Sequence, residues 1–362
     1  MRDGSLKLEP FSGIEGLRAA RSDWEQAFGQ ADLDPLSNSP DWGLAYASAW
    51  LSECDVFGWI ARSEGEVVGF FPMRHEPRRS GFALRRALFL VDGSFDSDYL
   101  DFPIRADCRG PVLAAFLDTL EAAKGIDAVV LSGVPSISPT MEMIKSLLTA
   151  RGRGFREQDV PCLTAALPGG FEEYLRGLPK RMRTKIRRSL RDAAERGATL
   201  YWSEEAGFDR DLELLFKLHA ARWEAAGEGG SFNEPRRRSF YAELGRHWAG
   251  TGELRMAQLK LDDGVVAVQF GVRLGDTYYQ IQEGYDPAHG DWRPATALRG
   301  LALADLMAEG VVSYDFLGGE ADHKRSWGGR IRSCSTLAFP VGGLRSRIAY
   351  RLRALMDARS KG

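Results

Sequence analysis

Two stretches of this 362-residue chain alternate apolar and polar positions on either side of a tight turn. One runs from Val56 to Met73 and turns at Ser63-Glu64-Gly65-Glu66; the other runs from Leu254 to Leu274 and turns at Asp262-Asp263-Gly264. Period-two alternation around such residues predicts a β-hairpin in each place. A further turn at Gly275-Asp276 leads to a third strand, Thr277 to Glu283, and the first hairpin has a weaker counterpart at Ala87 to Val91. After a loop, each set is followed by a helix and a short apolar strand. These are Pro111 to Ala123 then Ala128 to Ser132, and Ala295 to Ala308 then Val311 to Leu317, punctuated by Gly125 and Gly310. The hairpin turns lie about 200 residues apart and the late strands about 185, so the order of elements repeats although the residues hardly do. The pattern therefore predicts a duplicated α/β unit, each copy a mixed, mostly antiparallel sheet flanked by helices.

Between the copies, Leu178, Met182, Ile186, Leu190 and Ala194 recur every four residues and predict an amphipathic helix from Pro179 to Gly197. Its other faces hold Lys180, Arg181, Arg183, Lys185, Arg187, Arg188 and Arg191. Further helices are expected over Asp209 to Ala226 and Pro235 to Ala249, with a basic helix, Leu344 to Arg359, closing the chain. Near the start, Ser39 and Pro40 read as the N-cap and first residue of a helix. The expected division is 1–165, 166–343 and 344–362.

Composition narrows the function classes. A net charge of −2 argues against a surface that binds nucleic acid throughout and leaves room for a local basic patch. The four cysteines are scattered singly, and His289 and His323 have no ligand spacing around them, so no metal site is expected. No apolar run is long enough to span a bilayer, and the first dozen residues lack a secretory core; a cytoplasmic monomer or homodimer is the expectation.

A set of motifs in the second half carries a resemblance. Lys180-Arg181-Met182-Arg183 is followed by Leu218-His219-Ala220-Ala221-Arg222-Trp223, Gly284-Tyr285-Asp286-Pro287, and Pro294 opening a helix. Tyr314-Asp315-Phe316-Leu317-Gly318-Gly319 and His323-Lys324-Arg325-Ser326-Trp327-Gly328 complete the set. In this order and spacing, the sequence from Arg181 to Trp327 resembles the GNAT acetyltransferases associated with bacterial cellulose biosynthesis, the CelD-type group related to the FemAB peptidyltransferases. The resemblance implies tandem GNAT-like units, the first degenerate, with acetyl-CoA or another acyl-CoA as co-substrate. It also implies an acceptor amine or hydroxyl on a sugar, sugar nucleotide or peptide of envelope or exopolysaccharide metabolism, held between the units. Two alternatives stand beside this reading. One is a FemAB-like aminoacyl-tRNA-dependent transferase, the only case in which a nucleic acid is expected as partner; the other is a non-catalytic scaffold in a polysaccharide synthesis complex.

Acyl transfer from a thioester needs a seat for phosphate, a donor for the carbonyl oxygen and a base for the nucleophile's proton. The helix start at Arg293, Ala295 and Thr296, with Gln282 beside it, is the expected donor seat. Of the family's phosphate-loop pattern it keeps only the last small residue, Ala295, and Leu298 three residues on, and Arg293 stands where a glycine is usual. Glu283 and Asp315 are the carboxylate candidates for base, and Tyr285 the candidate proton donor to the thiolate. The resemblance gives Lys324 the task of steadying negative charge on the donor. His219 and Trp223, four apart on one helix face, together with Arg183, Arg187 and Trp327, are the expected substrate contacts.

Overall fold

The computed structural model describes residues 6–76, 84–92, 96–262, 264–319, 321–343, 346 and 350. Its first elements are β1 (Lys7–Ser12), α1 (Gly13–Ala19), α2 (Arg21–Gly29), α3 (Pro35–Asn38), α4 (Pro40–Trp50), β2 (Val56–Ser63), β3 (Glu66–His75), β4 (Arg86–Phe89), α5 (Arg109–Ala122), β5 (Ala128–Pro135), α6 (Pro139–Ala150) and β6 (Arg156–Ala166). There follow α7 (Phe171–Gly177), α8 (Lys180–Glu195), β7 (Thr199–Trp202), α9 (Phe208–Ala225), α10 (Pro235–Thr251), β8 (Ala257–Leu261), β9 (Gly264–Leu274), β10 (Thr277–Tyr285), α11 (Pro294–Ala308), β11 (Ser313–Gly318), α12 (Asp322–Ser326) and β12 (Arg330–Pro340). The closing helix expected over Leu344 to Arg359 lies, apart from Ser346 and Tyr350, outside the described residues, as does Asp263 of the second hairpin turn.

The chain folds into two compact units, Met1–Val160 with Ser333–Gly362, and Pro161–Arg332. Strand order in the first is β1-β2-β3-β4-β5-β12, and in the second β7-β8-β9-β10-β11-β6. In both, the fourth and fifth strands of that order pair in parallel and their neighbours pair antiparallel. This is the mixed, mostly antiparallel α/β unit expected from the sequence, present twice. The repeat includes an exchange at its closing strand. β12, late in the chain, completes the first sheet through pairs from Cys334↔Pro135 to Pro340↔Ala128. β6, which follows the first helix-and-strand set, pairs with β11 from Ala166↔Ser313 onward.

The first unit buries a cluster of large rings, with Phe71 stacked on Phe116 at 4.1 Å and Trp24 on Phe70 at 5.1 Å. In the second, α8 lies against α11, and Gly300 permits the approach: a Cβ there would stand 3.2 Å from Leu190. The face of α8 that is buried consists of Met182, Ile186, Ser189 and Ala193, while Ala194 is exposed. The expected stripe, stepped every four residues, drifts off a 3.6-residue helix by its fifth member, Ala194, and a step of three restores the face. α9 packs on β10 at Gly284, where a Cβ would collide with the backbone nitrogen of His219.

Because β12 covers β5, residues Val129, Leu131 and Val134 depend on a strand about 200 positions away. A 1–165 fragment is therefore expected to elute as aggregate in gel filtration. The same fragment with residues 330–343 joined through a flexible linker is expected to elute as a folded monomer, and equal solubility of the two would contradict the assigned pairing.

Candidate active site

The site grows from the way β10 leaves β11. The two pair in parallel only at Thr277↔Ser313, Tyr278↔Tyr314 and Tyr279↔Asp315. Next, β10 carries a bulge between Gln280 and Gln282 and continues along β9 from Gln282↔Phe270 to Tyr285↔Ala267, with no paired position on β11 beyond Asp315. β4 and β5 in the first unit also pair in parallel at three positions. There, however, the chain fills the parting. The Leu100 N–H donates to the Gly133 carbonyl at 3.1 Å, and the Asn38 side chain holds Tyr99 O and Asp101 N at 2.8 and 2.9 Å.

Glu283 projects from β10 beyond the bulge and forms an ion pair with Arg299 of α11, which also donates to Gln280 Oε1 at 3.2 Å. Arg222 of α9 reaches the other carboxylate oxygen at 3.4 Å. Arg299 is 4% exposed and lies over the rings of Trp327 and Phe316, at 5.2 and 5.8 Å. Burial pushes the Glu283 carboxyl up, but Arg299 and then Arg222 pull it further down, so it is held ionised. The expected base is thus charged and ready to accept a proton, at the cost of low basicity. Trp327, expected at the substrate, is core: it supports Arg299 and gives its carbonyl to the Tyr174 hydroxyl at 2.6 Å.

Asp315 and Lys324 meet at one strained turn. Leu317 has a φ of 58°, unusual for a leucine. Its N–H donates to Asp315 Oδ1 at 2.7 Å, and Lys324 Nζ donates to the carbonyl oxygens of Phe316, Leu317 and Gly318 at 2.8, 3.3 and 2.5 Å. Asp315, 1% exposed, also faces Arg332 at 3.8 Å. In this arrangement both residues fix the end of β11 rather than face open solvent. An ammonium so engaged acts on an incoming oxygen only by releasing one carbonyl. Lys324→Met, which keeps the stem and removes the donors, is accordingly expected to cost about 1–3 kcal/mol in urea denaturation; unchanged stability would return Lys324 to the surface.

At the start of α11, Arg293 takes the left-handed conformation, φ 60°. A non-glycine residue holds the backbone shape that glycine adopts freely. The side chain is exposed. The Arg293 N–H is bound to Gly290 O, Pro294 has none, and the Thr296 and Ala297 N–H groups both turn back to Arg293 O. Among the described residues, only the Ala295 N–H of this turn is left without an acceptor. Gln282 is half-buried at the bulge, and Tyr285 lies under the Arg222 guanidinium at 6.0 Å.

His219 and Trp223 do meet. The indole N–H donates to His219 Nε2 at 2.9 Å, and Arg222 lies 5.4 Å from the Trp223 ring, linking the pair to Glu283. His219 is 2% exposed, and burial, then Arg222 and Arg237, bring its pKa down to about 4. Arg183 is tied to the carbonyls of Arg176 and Leu178, and Arg187 to Glu172; both brace α7. Sequence reasoning missed Arg299, Arg222 and Gln280. Arg299 had a signal, as the lone cation in Pro294–Ala308.

A histidine whose folded pKa is depressed takes up its proton in the unfolded chain first, so its contribution is intact above pH 6.5 and is lost as pH falls toward 4. The unfolding free energy of the parent is expected to drop through that window by on the order of 3 kcal/mol more than that of His219→Gln. Parallel pH profiles for the two proteins would contradict the buried neutral imidazole.

Residues 180–325 match the model of the Acetyltransferase (GNAT) domain. No curated protein matches the sequence. Among solved structures, FemX is similar at 14% identity, covering 88% of this chain and 95% of that one, with a TM-score of 0.59. L-PGS from Bacillus licheniformis is similar at 13% identity over 93% and 96%, with a TM-score of 0.53. A tandem GNAT protein from the clavulanic acid biosynthesis pathway is similar at 12% over 94% and 99%, with a TM-score of 0.51. At these identities the likeness is one of fold. The fold is thus that of two GNAT-like α/β units, and residues 180–325 carry the match to an acetyltransferase (GNAT) domain.

Proposed function

We propose that the second unit transfers an acyl group, most simply acetyl from acetyl-CoA, to an amine or hydroxyl of a sugar, sugar nucleotide or peptide, as in the CelD-type group. The parting of β10 from β11 carries this reading. Beyond Tyr279 the edge of β10 that faced β11 runs on beside the start of α11 without a strand partner among the described residues, and an extended pantetheine arm can lie along it. The first unit offers no such edge, since residues 99–101 fill its parting.

In the proposed arrangement the phosphate end of the donor lies at Arg293, Ala295 and Thr296, and the thioester carbonyl lies near the bulge at Gln282. Glu283 takes the nucleophile's proton directly or through water, and Tyr285 returns one to the thiolate. Arg299 and Arg222 hold the carboxylate in place, while Asp315 and Lys324 shape the opposite wall. His219 and Trp223 fix Arg222 from behind, which makes them positioning residues. The FemAB-like alternative, an aminoacyl group delivered on tRNA, draws its support from the FemX fold likeness.

Calorimetric titration with acetyl-CoA tests the donor seat. Arg293→Glu, an exposed substitution beside the phosphates, is expected to weaken binding at least tenfold with the melting temperature unchanged. Binding equal to the parent's would remove the donor from this end of α11.

A further inference from the structure

The outer face of α8 is a cationic surface that the fold leaves without an assigned task. Arg181, Lys185 and Arg188 are exposed and stand at i, i+4 and i+7, on one face spanning about 10 Å. Arg181 and Lys185 have no acidic partner among the described residues, and neither does Arg293 at the start of α11. These charges are near enough to act on one another: burial, then Arg293, Arg299 and Arg181, push the Lys185 ammonium below its usual range against the weaker opposing pull of Glu283. Like charges held together with so few counter-ions, Asp192 beside Arg188 being the one ion pair of the stripe among the described residues, cost stability, so their placement favours an anionic partner.

The start of α11 limits what that partner carries. A pyrophosphate seat of the helix-terminus kind needs several converging amides. Here one amide, that of Ala295, and one guanidinium, that of Arg293, are free. That donor set matches a single phosphodiester. A pantetheine arm attached to protein through serine has one phosphodiester, where coenzyme A has a pyrophosphate followed by a nucleotide.

We propose that the Arg181–Lys185–Arg188 face of α8, with Arg293, docks an acidic acyl carrier protein whose phosphopantetheine arm presents the acyl thioester to the parting of β10 and β11. This rests on the acyl-transfer reading of the same site. The step balances as for coenzyme A: the acyl carbon's bond to sulfur breaks, its bond to nitrogen or oxygen of the acceptor forms, and the acceptor's proton ends on the carrier thiol. Charge pattern favours a protein over RNA. The stripe is short, and Glu172, Asp192 and Glu195 flank it in contact with Arg187, Arg188 and Arg191. A long polyanion would be repelled by that rim, whereas one acidic helix fits inside it.

The test is fluorescence anisotropy with labelled holo acyl carrier protein, its pantetheine thiol acetylated, against acetyl-CoA and bulk tRNA as competitors. The holo carrier is expected to bind at least tenfold more tightly than acetyl-CoA, with affinity falling as salt rises. Arg181→Glu with Lys185→Glu is expected to cut carrier binding at least tenfold and to change acetyl-CoA binding less than threefold. The neutral pair Arg181→Ser and Lys185→Ser is expected to give a smaller loss in the same direction. Acetyl-CoA binding without carrier binding, or carrier binding indifferent to both double variants, overturns the docking proposal and leaves the acyl-transfer reading standing. Failure of both thioesters to bind removes that reading as well. Displacement of the carrier by tRNA at lower concentration reassigns the face to RNA.

Discussion

A buried ion pair sets the geometry of the second unit. Glu283 and Arg299 are drawn out of water together, one on β10 and one on α11, at the place where β10 has left its partner strand. Neither charge is tolerable there alone, since removing one partner of a buried pair typically costs about 3–5 kcal/mol. The pair therefore pins the helix to the strand on one side of the parting. Gln280 and Arg222 bind into the same network, so the bulge, α9 and α11 are referenced to a single carboxylate. The pair is also why Glu283 stays ionised despite burial.

Local strain is gathered around the same opening. Arg293 and Leu317, both non-glycine residues with left-handed backbone, sit at the start of α11 and the end of β11. Each conformation costs roughly 1–2 kcal/mol and persists only where the surroundings hold it. For Leu317 the restraint is visible in Asp315 below and Lys324 above. Two charged residues that look catalytic from the sequence are, in the fold, the clamps of a bent strand end. Helix α9 contributes more indirectly: its close seat on Gly284 brings His219 and Trp223 behind Arg222, and the neutral imidazole accepts a hydrogen bond from the indole N–H.

Much of this was legible in the sequence because it is local. Alternation around Ser63-Glu64-Gly65-Glu66 and the turn at Gly264 located both hairpins, and Ser39 does cap its helix through the Trp42 N–H at 3.3 Å. The repeated order of hairpin, helix and strand was enough to read a duplication. What stayed hidden was long-range. Nothing in Arg330–Pro340 says that it pairs with β5 rather than with β11, because strand patterns encode a face and not a neighbour. The left-handed backbone of Arg293 and Leu317 has no residue signal, since neither is glycine. Arg299 was readable as a charge in an apolar helix, but its partner, 16 residues earlier on a strand, was not.

The central claim is that an acyl thioester lies against the free edge of β10 and the start of α11, in the second unit and not in the first. Hydrogen–deuterium exchange of the whole protein with and without a saturating acyl thioester measures this most directly. Slowed exchange is expected in residues 280–286 and 293–297, with no change in 86–92 or 109–113, whose corresponding edge is already filled by the chain. Protection at the first unit's segments, or none at Gln280 to Tyr285, would contradict it.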